Sequence, residues 1–289
     1  MIALGGKIYL IGGTIGLEMF GDGRNLLDAT DQLTRFDPRT GRYQELAPLP
    51  QPLNHIGATR YRGDIYVLGG YGRLIDAKTR QTFYRYDPRT NRWSRLPDLP
   101  VPRAAGAVGI LGDRLIWAGG ARNSVAHSDV FAFDFDSRRW SRLPSMHSRR
   151  EHVGEAVLDD KLYVFGGRGT ETLALDTVER FDPATGKWED LPPMPVPSGG
   201  LAAVVADGKA FVIGGGNDGA ETVSGAVQEF DPASGEWTLL PDLRTARHGH
   251  GVAAAGEKFW VFGGSDCAYF NATDAVESVR IADAGDAGQ

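Results

Sequence analysis

The chain has a single cysteine, Cys267, in 289 residues, so no internal disulfide can form, and the composition fits a reducing compartment. Positive charge is in deficit: 31 Lys and Arg stand against 37 Asp and Glu, for a formal net charge of −6. That balance lacks the basic footprint that general nucleic-acid binding requires. No apolar run approaches the roughly 20 residues of a membrane-spanning helix. The opening MIALGGKIYL carries no basic stretch leading to an apolar run and cleavage site, so no signal peptide is read and a cytoplasmic location is expected. An HExxH helix, a phosphate loop and a Ser-His-Asp ordering are missing too. Asn271-Ala272-Thr273 is formally a glycosylation sequon, a match of the length that chance supplies.

What the chain has in quantity is paired glycine. An apolar run ends in Gly-Gly at Gly12-Gly13, Gly69-Gly70, Gly119-Gly120, Gly166-Gly167, Gly214-Gly215 and Gly263-Gly264, at intervals of 57, 50, 47, 48 and 49 residues. Self-similarity at such a period is the signature of a repeat architecture. Each repeat offers four short strand-like segments. A small-residue or alternating run comes first, then the apolar run before the glycines. A variable loop leads to a third strand such as TVERFD, and a turn returns the chain into a fourth. That last turn reads DPRTGRY, DPRTNRW, DFDSRRW, DPATGKW and DPASGEW, so an aromatic falls six residues after the Asp each time, at Tyr43, Trp93, Trp140, Trp188 and Trp237. Asp followed by Pro, with Gly or Asn near the end, is turn chemistry, so these carboxylates are expected to shape turns. The aromatics are expected to pack between neighbouring sheets.

Paired glycines, Asp-Pro turns and Trp at this period resemble the kelch repeat, and the FDPxTGxW form resembles its bacterial members. The resemblance covers nearly the whole chain. It implies an all-β fold, a six-bladed propeller with four antiparallel strands per blade around a central channel, occupying residues 1–281 as one domain, with 282–289 as a polar, disordered tail. In that family the Gly pair and Trp are structural, and no cofactor or metal is implied. The ring departs from the pattern at one place. Arg280 stands where the Asp of the sixth turn belongs, and Asp286 where the Trp belongs, so blade six lacks a recognisable outer strand. Blade one begins only eleven residues before Gly12, which reduces its inner strand to about Met1–Leu4. One segment upstream of Met1 would supply both, and the expectation is that the native chain extends there.

Loops on the face that holds the channel mouth are where chemistry is expected. Sixteen residues before the first glycine of each pair stand Leu53, Arg103, Arg150, Ser198 and Arg247; fifteen before stand Asn54, Ala104, Glu151, Gly199 and His248; fourteen before stand His55, Ala105, His152, Gly200 and Gly249. Three arginines at one offset suggest an anion-binding rim, because Arg engages carboxylates and phosphates bidentately. An arginine there can equally brace loops by bonding backbone carbonyls, and both readings stand. Ligand-binding candidates are therefore Arg103, Arg150, Arg247, His55, Asn54 and His248. Glu151 and His152 are the candidates for acid/base chemistry, although neighbouring strand residues point to opposite faces. His55, His152, His248 and His250 lie mostly on different blades, so no metal site is read. The GGGNDG stretch matches a dinucleotide fingerprint from Gly214 to Gly219, but a strand follows it where a helix is required. The Thr14–Thr30 loop is the longest insertion and could act as a lid.

Two functions fit. The first is a monomeric binding module for a partner protein or small acidic ligand on the loop face and channel mouth. The second, a carbohydrate-related activity, is an enzyme acting on an acidic sugar at the same mouth, similar to the kelch-like sialic-acid mutarotases. A likeness to copper-radical galactose oxidases fails, because their crosslink joins Cys and Tyr from distant sequence while Cys267 and Tyr269 are two residues apart.

Overall fold

The computed structural model describes residues 1–18, 25–73, 78–217, 220–267 and 272–281. Its described residues form six antiparallel blade sheets, five of four strands and one of three, and three two-stranded ribbons. Blade one comprises Ile2–Leu4, Lys7–Ile11, Leu33–Asp37 and Arg42–Glu45. Blade two comprises Gly57–Tyr61, Asp64–Leu68, Phe83–Asp87 and Arg92–Arg95. Blade three follows with Ala107–Leu111, Arg114–Ala118, Val130–Asp134 and Arg139–Leu143. Blade four holds Gly154–Leu158, Lys161–Phe165, Val178–Asp182 and Lys187–Leu191. Blade five holds Ala202–Ala206, Lys209–Ile213, Val227–Asp231 and Glu236–Leu240. In blade six, among the described residues, Gly251–Ala255, Lys258–Phe262 and Val276–Arg280 are paired. Each inner strand touches the next one round, and Gly251–Ala255 touches Ile2–Leu4, so the chain is a six-bladed β-propeller with its inner ring closed.

The strands follow from composition. The second strand of each blade, such as Asp64–Leu68 or Lys161–Phe165, is apolar at nearly every position and buried nearly throughout, as a strand covered on both faces must be. The Asp of each turn accepts from a backbone N–H two or three residues on, at 3.0 Å for Asp37, 2.9 Å for Asp87 and 2.8 Å for Asp134, Asp182 and Asp231. The paired glycine is required by close approach as well as by torsion. Gly69 and Gly70 have φ of +66° and +94°, values that L side chains rarely adopt. A Cβ on Gly69 would lie 2.4 Å from the carbonyl oxygen of Arg103, and one on Gly70 would lie 2.5 Å from that of Asn54.

Neighbouring blades meet in apolar clusters built from alternate residues of facing strands. Five of these hold eight to twelve fully buried residues. The cluster between blades six and one holds four, Ile8, Phe36, Ala253 and Phe262. At about 1.5–3 kcal/mol per large side chain buried, that seam is the weakest joint. The outer-strand tryptophans tie blades together in a second way. Trp93, Trp140, Trp188 and Trp237 donate Nε1–H to the carbonyls of Ala47, Pro97, Pro144 and Pro192 in the crossover from the preceding blade, at 2.8, 2.9, 2.9 and 3.1 Å. Tyr43 departs from the expected packing: it leans on Phe36 with the rings tilted but stays 53% exposed, since no described outer strand of blade six lies beside it.

The long first loop carries a two-stranded ribbon, Thr14–Glu18 paired with Asn25–Ala29, and its tip lies outside the described residues. Gly216–Asn217 pairs with Thr222–Val223, so a strand follows the glycines there. Gly219, Tyr269, Asn271 and the tail 282–289 lie outside the described residues.

Candidate functional site

The crossovers that lead from one blade into the next build the channel mouth, and the arginines sit inside them. Arg103, Arg150 and Arg247 are 2%, 0% and 0% exposed, too deep to meet a ligand at the mouth. Arg150 donates to the carbonyl of Thr177 at 2.7 Å and to Glu179 Oε1 at 3.1 Å. Arg247 donates to the carbonyls of Ala275 and Gly263 at 2.9 and 3.2 Å and forms an ion pair with Glu277. Arg103 reaches Asp129 Oδ2 at 2.5 Å. The rim expected from their offset is thereby corrected: these guanidiniums brace the crossovers. Burial pulls the pKa of Arg150 down to about 10 against the support of Glu179. The carboxylates complete the brace, for Glu179 also accepts from the N–H groups of His147 and Ser148 at 2.7 and 3.1 Å. In blade five both partners change together. Ser198 replaces the arginine, and Gln228 replaces the glutamate, bonding Val196 through both its amide oxygen and nitrogen at 2.8 and 3.1 Å.

One residue further along, the backbone makes a reciprocal pair of hydrogen bonds with the second residue after the first glycine. These pairs are Asn54 with Tyr71, Ala104 with Ala121, Glu151 with Arg168, Gly199 with Gly216, and His248 with Ser265. The next residues, His55, Ala105, His152, Gly200 and Gly249, all have φ between +48° and +68°. That conformation turns their backbones to one another across blades. Ala105 N–H donates to His55 C=O at 2.8 Å, His152 to Ala105 at 2.8 Å, Gly200 to His152 at 2.9 Å and Gly249 to Gly200 at 2.7 Å. A partial ring of backbone bonds thus lines the mouth.

Side chains on this ring alternate. Blades two, four and six present Asn54, His55, Tyr71, Glu151, His152, Arg168, His248 and Ser265, while blades three and five present only Ala or Gly. The small residues leave room that the large ones fill. The His55 and His152 rings meet edge to face at 4.6 Å across Ala105, and Tyr71 meets His55 at 5.6 Å. Arg168 leans over Gly199, where a Cβ would lie 2.6 Å from its Cγ. His55 Nδ1 donates to Asn54 Oδ1 at 2.8 Å, and His248 Nε2 to the carbonyl of Cys267 at 3.1 Å. Glu151 and His152 are hydrogen-bonded to each other, Oε2 to Nδ1. Strand alternation would separate them, but His152 has φ +52° and turns its ring back. Enclosure in the channel, then His152, Arg168 and His248, lowers the pKa of His55. Enclosure, reinforced by Glu151, raises that of Tyr71 to about 12. Deeper in the channel, enclosure lifts the Glu155 carboxyl to about 7.

His250 stands apart from the mouth. It is 8% exposed in a position that Val153 and Leu201 occupy in other blades, and burial, with Arg247 and His248, drives its pKa down to about 3. His147, Glu179 and Asp190 offer ligand atoms within 4.8 Å of one another, but Glu179 is committed to the brace described above. Of the groups at the mouth, Tyr71, Arg168 and Ser265 were outside the candidates read from sequence. Their common offset after the glycine pair is a signal that could have found them.

Comparison with known proteins agrees with this architecture. A family model described as the KLHDC2/KLHL20/DRC7 Kelch-repeats domain matches residues 1–149 and 145–264. Kelch repeat and BTB domain-containing protein 12 of Danio rerio is 28% identical over 224 residues, covering 73% of this chain and 28% of that protein. The chain therefore spans less than a third of the length of this relative. Blades that each end their second strand in paired glycine, and outer strands pinned by tryptophan, agree with that match: the chain belongs to the kelch-repeat family.

Proposed function

We propose that this propeller is a binding module that recognises a partner protein, through an acidic segment, on its loop face and channel mouth. The observation that carries the reading is the alternation at the mouth. Polar and aromatic groups from blades two, four and six converge there over the Ala and Gly residues of blades three and five. A few convergent polar groups at the mouth of a channel are how ligand sites gain orientation and specificity. With Arg103, Arg150 and Arg247 used as braces, the cationic character falls to Arg168. A thermal-shift and calorimetric screen with a short glutamate-rich peptide, sialic acid and inorganic phosphate tests the reading. The peptide is expected to stabilise the protein, and Arg168→Ala to weaken it by about 1.5–3 kcal/mol, the size of a charged hydrogen bond. Equal binding by the Arg168→Ala protein would remove the acidic preference.

One contact favours the enzymatic alternative on an acidic sugar. The Glu151 carboxylate is hydrogen-bonded to the His152 imidazole at the mouth, a pairing that can relay a proton. If it does, the protein accelerates anomer exchange of sialic acid in an NMR assay, and Glu151→Gln abolishes that acceleration while leaving peptide binding intact.

A further inference from the structure

Charge is divided around the ring, and the net charge of −6 conceals it. Residues 31–150, which hold the outer half of blade one and all of blades two and three, carry 20 Lys and Arg against 11 Asp and Glu. Residues 151–281, in blades four to six, carry 9 against 21. The face opposite the channel mouth, where first strand turns into second and third into fourth, displays this division on a regular surface. Two residues join the first and second strands in all six blades, as Arg62-Gly63 and Asp159-Asp160 do. Four residues join the third and fourth strands in blades one to five. Turns of equal length bring their tips to a common level, whereas the loop face carries ribbons.

On the basic half of this face Arg39, Arg42, Arg92, Arg138 and Arg139 are exposed, and on the acidic half Asp159, Asp160, Asp207, Glu236 and Glu257 are. Among the described residues, none of these side chains has a hydrogen bond or ion pair within the molecule. Other charges on the same face do pair internally, as Lys7 does with Asp37, Arg89 with Asp87 and Lys209 with Glu229. The leftover charges are thus arginine on one side and carboxylate on the other. One turn position shows the change of sign directly. The residue opposite the turn Asp is Arg42, Arg92 and Arg139 in blades one to three, Lys187 in blade four and Glu236 in blade five.

We infer that this protein self-associates face to face through the turns opposite its channel mouth, as a two-fold dimer held by charge. A face basic over three consecutive blades and acidic over the other three is complementary to itself. A half-turn about an axis lying in the face, along the line between blades three and four, sets blade three on blade four of a second copy and blade two on its blade five. Arg138 and Arg139 then meet Asp159 and Asp160 of the second copy, and Arg92 meets its Glu236. Symmetry makes each contact twice, and an isologous contact of this kind closes at two copies. A nucleic acid or other polyanion would gain from the basic half and be repelled by the acidic half of the same face, whereas a second copy satisfies both. The contact is polar and exposed charges are screened over about 8 Å at physiological salt, so the dimer is reversible and weakens as salt is added. Both channel mouths point outward from it, and it stands whether or not the acidic-segment site there is correct.

Sedimentation velocity on the full chain tests this. A dimer is expected at about 20 mM salt and a monomer at about 500 mM. Arg92→Glu and Glu236→Arg each set like charges together at both symmetric contacts, and each should weaken the dimer about tenfold or more. Mixed in equal amounts, the two variants should associate as the wild type does, because every altered residue then meets its opposite. That recovery also shows that both variants are folded. A monomer at low salt, a dimer indifferent to salt, species larger than two copies, single variants that dimerise like the wild type, or no recovery in the mixture overturns the inference. So does salt-sensitive binding of a short DNA duplex by a protein that stays monomeric, which would give the basic half a polyanionic partner instead.

Discussion

Lowering the pH should destabilise the propeller through His250, and the size of the effect is calculable. The ring is 8% exposed and faces the carbonyls of Ile213 and Arg247 without reaching hydrogen-bond geometry. Burial holds its pKa near 3 against an ordinary 6.5. Between those values the unfolded chain binds a proton that the folded chain refuses, so stability rises with pH across that window and falls as acid is added. The slope approaches about 1.4 kcal/mol per pH unit, and integration from pH 7 to pH 5 gives a loss of about 2 kcal/mol. Other groups titrate in the same range. His55 acts in the same direction, while Glu155, whose pKa is raised to about 7, and His147, raised by Asp190, act in the opposite one. His250→Leu isolates the term, because the other groups are common to both proteins and Leu201 already fills the equivalent site in blade five. Urea denaturation at pH 7, 6 and 5 is the assay. The wild type should lose about 2 kcal/mol more than the variant over that interval, and at pH 7 the variant should be at least as stable. Parallel curves for the two proteins would show that the folded state protonates His250 freely, and the reasoning from burial would fail.

Removing Arg150 should cost about 3–5 kcal/mol, because Glu179 is left charged and buried. The double change Arg150→Ser with Glu179→Gln, which copies Ser198 and Gln228, should recover much of it in a melting experiment. Trp237→Phe keeps the ring but loses the N–H bond to Pro192, an expected loss of about 0.5–1.5 kcal/mol by urea denaturation. Hydrogen exchange should find the amides of Val276–Arg280 faster than those of Val178–Asp182, since the latter strand is paired on both sides and the former on one. Equal rates would show that the seam is closed in solution.

The blades were legible because the features that build them are local. Paired glycine, the Asp turn and the aromatic six residues on each answer a backbone requirement met within one repeat, so counting residues was enough. The incomplete sixth sheet was legible for the same reason, as Arg280 breaks the turn pattern. Arg150 was harder. Its offset located it correctly at a crossover, but whether its guanidinium turned inward depended on Glu179, 29 residues away in the same blade. The covarying pair Ser198 and Gln228 was the available clue. Glu151 and His152 were judged by strand alternation, which does not hold for a residue at φ +52°. No residue type marks that torsion here, since His, Ala and Gly all adopt it at the same position. What was illegible in each case was a contact between repeats, which a single repeat's pattern does not contain.

The left-handed ring at the mouth has an evolutionary consequence. Its bonds run from N–H to C=O alone, so the joints between blades do not depend on which side chain stands at each ring position. His, Ala and Gly already coexist there within one molecule, at a torsional cost of about 1–3 kcal/mol for the non-glycine residues. Substitution at these positions can therefore exchange one set of groups facing the channel for another while the inter-blade bonds persist. Such a propeller can drift in what it recognises without first drifting in whether it folds.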